Sequence, residues 1–414
     1  SAASDVYKRQ TLDNGLRLVH YEDASTQMVA LNIVYDVGAR DEYPQHTGFA
    51  HLFEHLMFGG SVNIPDYDTP LQLAGGENNA WTNNDITNYY LTVPKANVET
   101  GFWLESDRML GLAFSEHSLE VQREVVMEEF KQRCLNQPYG DVGHLLRPLA
   151  YQVHPYRWPT IGKELSHIAQ ATLQEVEDFF YRYYAPNNAV LAVTGNISWE
   201  ETLRLTEKWF APVPYRHVPE RHLPAEPEQQ AERRLTVERN VPLDALFMVY
   251  HMCSRDDADY YAFDILSDIL SNGRSSRLIR HLVQEQNLFS SIDAYISGSR
   301  DAGLFHISGK PAAGVSLEQA EAAVRKELEQ LQQRPVEAAE LEKVKNKFES
   351  TQIFGNINYL NVATNLAWYE LTGQAEDINR TVERYRAVTS GQLQAVARQA
   401  FRQENCSVLH YRKG

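Results

Sequence analysis

A segment from the first half of the chain recurs in the second half, and this repeat constrains the fold more than any other feature of the sequence. Residues 30–42 (ALNIVYDVGARDE) match residues 245–257 (ALFMVYHMCSRDD), and an apolar helical pattern follows both. Such self-similarity indicates a duplicated domain. We therefore expect two domains of one architecture, joined by a proline-rich linker. The expected boundaries are 11–211 for the first domain, 212–230 for the linker and 231–414 for the second domain.

Length and composition agree with a globular protein of more than one domain. The 414 residues exceed what one compact core usually holds. Hydrophobic residues make up 43% of the chain and charged residues 23%, as in soluble proteins. Lys and Arg number 39 against 55 for Asp and Glu, and the net charge of −16 argues against nucleic acid or anionic membranes as partners. No stretch is long and apolar enough to predict a membrane span.

The cysteines and the N-terminus are the features that bear on the cellular compartment. Cys134, Cys253 and Cys406 are scattered and have neither metal nor redox spacing, which fits a reducing compartment or a protein indifferent to redox state. Residues 1–10 are polar and patternless, and we interpret them as a tag, an assembly artefact or a disordered lead-in. We expect a cytoplasmic location, and the periplasm is the alternative if a signal sequence was lost at the N-terminus.

The run at 47–58 (TGFAHLFEHLMF) carries the residues with the clearest chemistry. Its apolar residues recur at helical spacing and predict an amphipathic helix. On this helix His51 and His55 lie one turn apart, with Glu54 on the same face. Two imidazoles in that relation can hold one zinc ion, and a carboxylate beside them can accept a proton from water. The order H-x-x-E-H is a zinc peptidase signature. The alternative is a helix with surface histidines and a solvated glutamate.

The second half of the chain lacks these residues on the matching helix. The positions that correspond to His51, Glu54 and His55 are approximately Asp264, Ser267 and Asp268, respectively. One copy of the domain therefore has a candidate metal site and the other copy has none. This asymmetry favours a catalytic role for the first copy, because that copy keeps polar residues that a hydrophobic core does not need.

Residues 75–93 predict two strands separated by a polar turn, and the first strand (GGENNAWT) has two interpretations. Its glycines and asparagines are typical of turns. They are also compatible with an exposed strand edge that pairs with an extended peptide.

Three motifs together resemble the insulinase/pitrilysin family of zinc peptidases, the inverzincins, and most closely its short bacterial members similar to mitochondrial processing peptidase. The motifs are H-x-x-E-H at 51–55, G-G-x-x-N-A-x-T-x-x-D-x-T at 75–87 and R-x-V-V-x-E-E at 123–129. The resemblance covers nearly all of the chain from Thr11 to Arg412. It implies an α+β fold of two similar domains, each a mostly antiparallel β-sheet with helices packed on one face.

The resemblance also implies a set of zinc ligands. The ion would be held by His51, His55 and Glu129, with Glu128 as the competitor for the third position. Two histidines, one glutamate and a water form the open arrangement of a catalytic zinc site. Family members often have a glutamate two helical turns before the third ligand, where it assists the site. This chain has Gln122 there, which could remove one charge near the metal but not the metal itself.

A zinc-dependent endopeptidase or oligopeptidase is the function that these features predict. Glu54 would act as the base that takes a proton from water and returns it to the leaving amine. The resemblance implies that peptides are cut in an extended form, paired to the edge strand at Asn79 and Ala80, inside a chamber that excludes folded proteins. The alternative from another class is a non-catalytic peptide-binding or scaffold subunit of a related two-chain complex.

The donors that stabilise the transition state are missing from the expected segment. In the family, an arginine and a tyrosine on the second domain are understood to supply this help. In the matching segment 282–291 (LVQEQNLFSS), Gln284 and Ser290 stand in their places. One alternative is that the alignment slips and Arg274 or Arg277 substitutes. Otherwise the pair comes from a related peptidase subunit, so we expect a heterodimer, with a homodimer as the other possibility.

Overall fold

The computed structural model describes residues 7–373 and 375–414. Its strands are β1 (Tyr7–Thr11), β2 (Arg17–Glu22), β3 (Met28–Tyr35), β4 (Glu77–Thr82), β5 (Thr87–Pro94), β6 (Ala189–Gly195), β7 (Arg233–Arg239), β8 (Ala245–His251), β9 (Phe289–Ile296), β10 (Leu304–Pro311) and β11 (Cys406–Lys413). The α-helices are α1 (Phe49–Leu56), α2 (Asp68–Leu73), α3 (Val98–Leu110), α4 (Glu116–Phe130), α5 (Val142–Ala150), α6 (Leu165–Ala169), α7 (Leu173–Tyr183), α8 (Trp199–Phe210), α9 (Tyr260–Ser271), α10 (Leu317–Gln333), α11 (Ala338–Gly355), α12 (Tyr359–Thr372), α13 (Thr381–Ala387) and α14 (Ser390–Ala400). None of these helices has the length and apolar character needed to cross a bilayer.

Two sheets repeat one strand order. The first sheet runs β1-β2-β6-β3-β5-β4 and the second runs β7-β11-β8-β10-β9. β2 and β6 are parallel in the first sheet, and β7 and β11 are parallel in the second. In both sheets the next strand pairs antiparallel. The second sheet thus reproduces the first from β2 to β4. The predicted α+β architecture of two duplicated, mostly antiparallel sheets is confirmed.

The repeated segment of the sequence forms β3 and β8, which lie inside their sheets between two neighbours each. Along β3, Leu31 and Ile33 point into the main core of the first unit, while Ala30 and Val34 point to the opposite face of the sheet. All four side chains are buried. A strand that is covered on both faces needs apolar residues at successive positions, which explains the continuous apolar run.

Helices pack on both faces of each sheet, whereas the resemblance implies helices on one face. On the first sheet, α1, α3, α7 and α8 contribute to the main core, and α12 covers the other face with Val362 and Leu366. On the second sheet, α9, α10 and α14 form the main layer, and α5 covers the other face with Leu146. The central strands have apolar side chains on both faces of the sheet, so helices must pack on both faces to bury them.

The chain folds into two compact units, and neither is continuous in sequence. Among the described residues, the first unit comprises 7–132, 158–222 and 352–381, and the second comprises 133–157, 223–351 and 382–414. The change of unit after His222 lies inside the predicted linker, where no strand or helix is present. Compared with the continuous domains 11–211 and 231–414, the units exchange 133–157 and 352–381. That continuous division stays a prediction.

The interpretation of the N-terminus as lead-in is wrong from Tyr7 onward. Residues 7–11 form β1, which pairs with β2 across the turn at Asn14 and Gly15. Most β1 side chains are exposed because the strand lies at the outer edge of its sheet, so no apolar alternation marks it in the sequence. Residues 1–6 lie outside the described part of the chain.

Candidate metal centre

Helix α1 buries its apolar side and leaves the polar residues of H-x-x-E-H along one flank. Phe49, Leu52 and Phe53 belong to the main core of the first unit. His51 is 9% exposed, and Glu54 and His55 are half-buried. The predicted amphipathic helix therefore presents its two imidazoles and its carboxylate at the border of the core.

The N-terminus of α1 is fixed by Gly48 and by the carboxylate of Glu42. Gly48 has a φ of +88°, and a Cβ there would lie 2.5 Å from Cδ1 of Ile168, so only glycine fits. Glu42 accepts hydrogen bonds from the amides of Gly48 and Ala50, both at 2.9 Å, and from Nε1 of Trp158 at 3.1 Å. Burial raises the pKa of Glu42 to about 8, and the three donors act in the opposite direction.

Glu129 on α4 reaches both histidines, whereas Glu128 does not. Oε2 of Glu129 lies 3.5 Å from Nε2 of His51 and 3.3 Å from Nε2 of His55. The side chain of Glu128 is 58% exposed and lies 3.7 Å from Nζ of Lys131. In the part of the chain that the structure describes, no other group of three His, Cys, Asp or Glu side chains comes together as these do.

The geometry of this group fits a tetrahedral zinc ion. Zinc–ligand bonds near 2.1 Å place the ligand atoms of a tetrahedral site about 3.4 Å apart, close to the 3.3 and 3.5 Å between these side chains. The rings of His51 and His55 are inclined at 86°, and the Nε2 atoms of both rings lie within 3.5 Å of the same carboxylate oxygen. Two imidazoles and one carboxylate leave one position open, which is the donor set of catalytic zinc.

Glu54 lies beside the candidate metal ligands of α1 and faces the outermost strand of the sheet. Its Oε2 accepts a hydrogen bond of 2.7 Å from the hydroxyl of Thr82, the last residue of β4. Burial raises the pKa of Tyr89 and of Tyr184, and the charge of Glu54 acts in the same direction on both hydroxyls. The carboxylate therefore has the edge strand on one side and buried tyrosines nearby.

Asn79 and Ala80 lie in the middle of β4, which has β5 on one side and no strand on the other among the described residues. The amide of Asn83 donates to the carbonyl of Ile86, so these two residues form a hydrogen-bonded pair. In an antiparallel pair every second residue forms such a pair, which assigns Trp81 and Asn79 of β4 to hydrogen-bonded pairs with β5. By that alternation, the backbone amides and carbonyls of Ala80 and Thr82 point away from β5. The amide of Ala80 is bonded instead to Oδ1 of Asn79, at 2.8 Å.

Sequence reasoning missed two residues that support the site and left a third undecided. Thr82 lies in the motif at 75–87, and Glu42 is the last residue of the repeated segment 30–42. Neither pattern shows which atoms these side chains contact. Gln122 lies two turns before Glu129 on α4 and is half-buried, and no hydrogen bond to its side chain is found among the described residues. Its role beside the metal stays a prediction.

In the second unit, α9 stands in the position of α1 in the repeat and holds no comparable group of ligands among the described residues. The hydroxyl of Tyr385 donates to Asp264, and burial raises the pKa of Asp264 to about 6. Ser267 donates to the carbonyl of Asp264 at 2.7 Å, within its own helix. Asp268 accepts a hydrogen bond of 2.8 Å from the side-chain amide of Asn272. The polar groups of this helix therefore take part in hydrogen bonds with protein groups of the second unit.

Comparisons with known proteins match two family models to successive parts of the chain. Residues 17–162 match the family described as insulinase (peptidase family M16), and residues 170–348 match the peptidase M16 inactive domain. The zinc protease PqqE of Helicobacter pylori is 30% identical over 343 residues, which cover 81% of this chain and 77% of that protein.

Solved structures show the same fold. The crystal structure of a protease from Helicobacter pylori is similar with a TM-score of 0.93 and 27% identity, covering 98% of this chain and 99% of that one. The periplasmic protease PqqL from Escherichia coli is similar with a TM-score of 0.82 and 19% identity. That match covers 99% of this chain but 48% of PqqL, so this chain is similar to one part of a longer protein.

Proposed function

Because this chain belongs to peptidase family M16, the insulinase family, we propose that it is a zinc-dependent metallopeptidase that cuts extended, unfolded peptides. The observation that carries the proposal is the convergence of His51, His55 and Glu129 on one point beside Glu54. The name of the similar zinc protease from Helicobacter pylori supports it. Zinc, when bound, would lower the pKa of a water molecule and polarise the scissile carbonyl.

The roles of the chain's own residues follow from their positions. His51, His55 and Glu129 would hold the metal with one position left open. Glu54 would accept a proton from the attacking water and return it to the leaving amine nitrogen. A carboxylate suits both steps, because it can be deprotonated before attack and protonated before the bond to the leaving group breaks.

The substrate would bind by strand addition to β4. Ala80 and Thr82 direct backbone amides and carbonyls towards the open edge of the sheet, and a peptide that pairs with them must be extended. Such pairing selects unfolded segments, because a folded protein has its backbone groups already bonded. An enclosing chamber, which the family resemblance implies, would exclude folded proteins in the same way.

The proposal includes a related second subunit that supplies the transition-state donors. Gln284 donates to a backbone carbonyl at 3.1 Å, and Ser290 donates to another at 3.1 Å. Arg277, one of the two alternative donors, is paired with Glu340 at 2.7 Å. Arg274 stays the other alternative. These contacts favour a heterodimer in which the other chain brings the arginine and tyrosine. A homodimer, or a non-catalytic role for this chain in such a complex, is the competing proposal.

The test compares zinc content and peptide hydrolysis in the wild type and in Glu54→Gln. Glutamine has the same shape but cannot take the proton, so the variant should keep zinc and lose several orders of magnitude in kcat. Mass spectrometry of a mixed peptide library, with and without a related subunit, measures turnover and cleavage sites. Cleavage by Glu54→Gln at the wild-type rate would contradict the mechanism. A zinc-loaded chain without hydrolysis under either condition would favour the non-catalytic role.

A further inference from the structure

Thr82 connects the edge of the sheet with the candidate base. Its hydroxyl donates to Oε2 of Glu54 at 2.7 Å. Its backbone amide and carbonyl belong to the set that points to the open edge of β4, as the pairing of Asn83 with Ile86 requires. One residue therefore carries both a hydrogen bond to Glu54 and backbone groups that an added strand would use.

The side-chain alternation along β4 places Thr82 on the side of α1. Ala80 and Thr82 are half-buried, whereas Asn79 and Trp81 are exposed. Ala80 packs against the main core of the first unit, which also contains the apolar side of α1. A strand residue on this face can reach the carboxylate on α1 without any change in the ladder with β5.

The hydrogen bond restricts a side chain that otherwise has several rotamers. Glutamate loses rotamer entropy when it is held in one orientation, and a hydroxyl donor to a carboxylate makes a charge-assisted hydrogen bond. Proton transfer needs the base within hydrogen-bond reach of the water, so a wrong orientation of the carboxylate slows the reaction.

We propose that Thr82 is a positioning residue that orients Glu54 and couples its orientation to peptide binding at β4. The inference rests on the proposed function, since it takes Glu54 as the base. Threonine is branched at Cβ and has few χ1 rotamers in a strand, so the backbone of β4 sets the direction of its hydroxyl. A peptide that pairs with β4 fixes the backbone of Thr82. The hydroxyl of Thr82 then fixes the orientation of the Glu54 carboxylate.

The test replaces the hydroxyl without changing the shape of the side chain. Thr82→Val removes the donor and keeps the volume, while Thr82→Ser keeps the donor. We expect Thr82→Val to lower kcat by about 10- to 100-fold, as for misplaced catalytic groups, with KM, zinc content and melting temperature unchanged. Thr82→Ser should recover most of kcat. Thr236→Val is the control for the exchange itself, because Thr236 is an exposed threonine in β7, the edge strand of the second sheet.

A second measurement reads the hydrogen bond independently of activity. In protein labelled with carbon-13 at the glutamate carboxyl groups, the signal of Glu54 is identified by its loss in Glu54→Gln. It should shift in Thr82→Val and stay in place in Thr82→Ser and Thr236→Val.

The outcomes separate this inference from the proposed function. A wild-type kcat in Thr82→Val, or an unshifted Glu54 signal, would overturn the positioning role while zinc-dependent hydrolysis by the wild type still stands. A loss of zinc or of melting temperature that parallels the loss of kcat would also overturn it, because the residue would then be structural. Hydrolysis that does not depend on zinc or on Glu54 would refute the proposed function, and the positioning role with it.

Discussion

Glu128 and Glu129 are neighbours in sequence but point in different directions from α4. Successive residues of an α-helix are about 100° apart around its axis. The side chain of Glu129 is 19% exposed and faces His51 and His55, whereas that of Glu128 is 58% exposed beside Lys131. The orientation of one helix therefore decides which of two identical side chains can bind a metal.

Exchange of these two glutamates for glutamine tests the ligand assignment. Glu129→Gln should lose most of the bound zinc, because a neutral amide oxygen is a weaker ligand than a carboxylate. Glu128→Gln should keep it, because that side chain is directed to solvent. Zinc is measured by elemental analysis after dialysis against a weak chelator. The reverse result would move the third ligand by one residue.

At the scale of elements, α1 owes its position to the buried carboxylate of Glu42. The carboxylate accepts hydrogen bonds from two amides at the start of the helix and from the indole of Trp158. Carboxyl oxygens are good acceptors at a helix N-terminus, where the backbone amides lack partners within the helix. The candidate metal ligands His51 and His55 lie within the two turns that follow, so this contact also supports the candidate site.

Glu42→Gln should destabilise the first unit. The amide group of glutamine would direct N–H donors at a backbone amide or at the indole, and an unsatisfied buried donor costs about 1–3 kcal/mol. We expect a lower midpoint in urea denaturation and weaker zinc binding, because α1 is less well held. Glu128→Gln is the exposed control and should change stability by less than about 0.5 kcal/mol. Equal midpoints for the two variants would contradict this role of Glu42.

The open edge of β4 can be blocked without breaking the sheet. Proline has no amide hydrogen, and it is tolerated where that hydrogen would face away from the neighbouring strand. The amide of Ala80 faces the open edge, where Oδ1 of Asn79 accepts its hydrogen bond. Ala80→Pro should therefore keep the fold and the zinc but raise KM for peptides by about tenfold, the effect of losing about 1.4 kcal/mol of binding. Ala80→Ser keeps the amide and is the control. An unchanged KM in the proline variant would argue against strand addition at this position.

At the scale of the whole molecule, we predict that the chain needs a related subunit for full activity. Loss of one oxyanion donor typically costs about a hundredfold or more in rate, and Gln284 and Ser290 are bonded to backbone carbonyls. A zinc-loaded chain assayed alone on a flexible peptide should be slow. Addition of a related subunit that has the arginine and tyrosine should raise kcat by about a hundredfold. High activity of the isolated chain, unchanged by that subunit, would contradict the prediction.

The sequence alone determined the elements that depend on local patterns. The helical spacing around His51 and His55 predicts α1, and the polar turn between two short strands predicts β4 and β5. The repeat of 30–42 at 245–257 predicts two related domains, and β3 and β8 lie in equivalent positions of the two sheets. Side-chain periodicity is a property of neighbouring residues, so it can be read without knowing the fold. The third ligand is different, because the sequence indicated Glu129 only through resemblance to a family.

Only the tertiary structure decided which distant residues meet. It brings Glu129 to the histidines, directs the hydroxyl of Thr82 to Glu54, and brings the indole of Trp158 to Glu42. It also assigns 133–157 and 352–381 to units outside their own halves of the chain, with α5 and α12 covering the second faces of the two sheets. These contacts join segments far apart in sequence. They depend on how whole helices and strands pack, and no local pattern of residues specifies that packing.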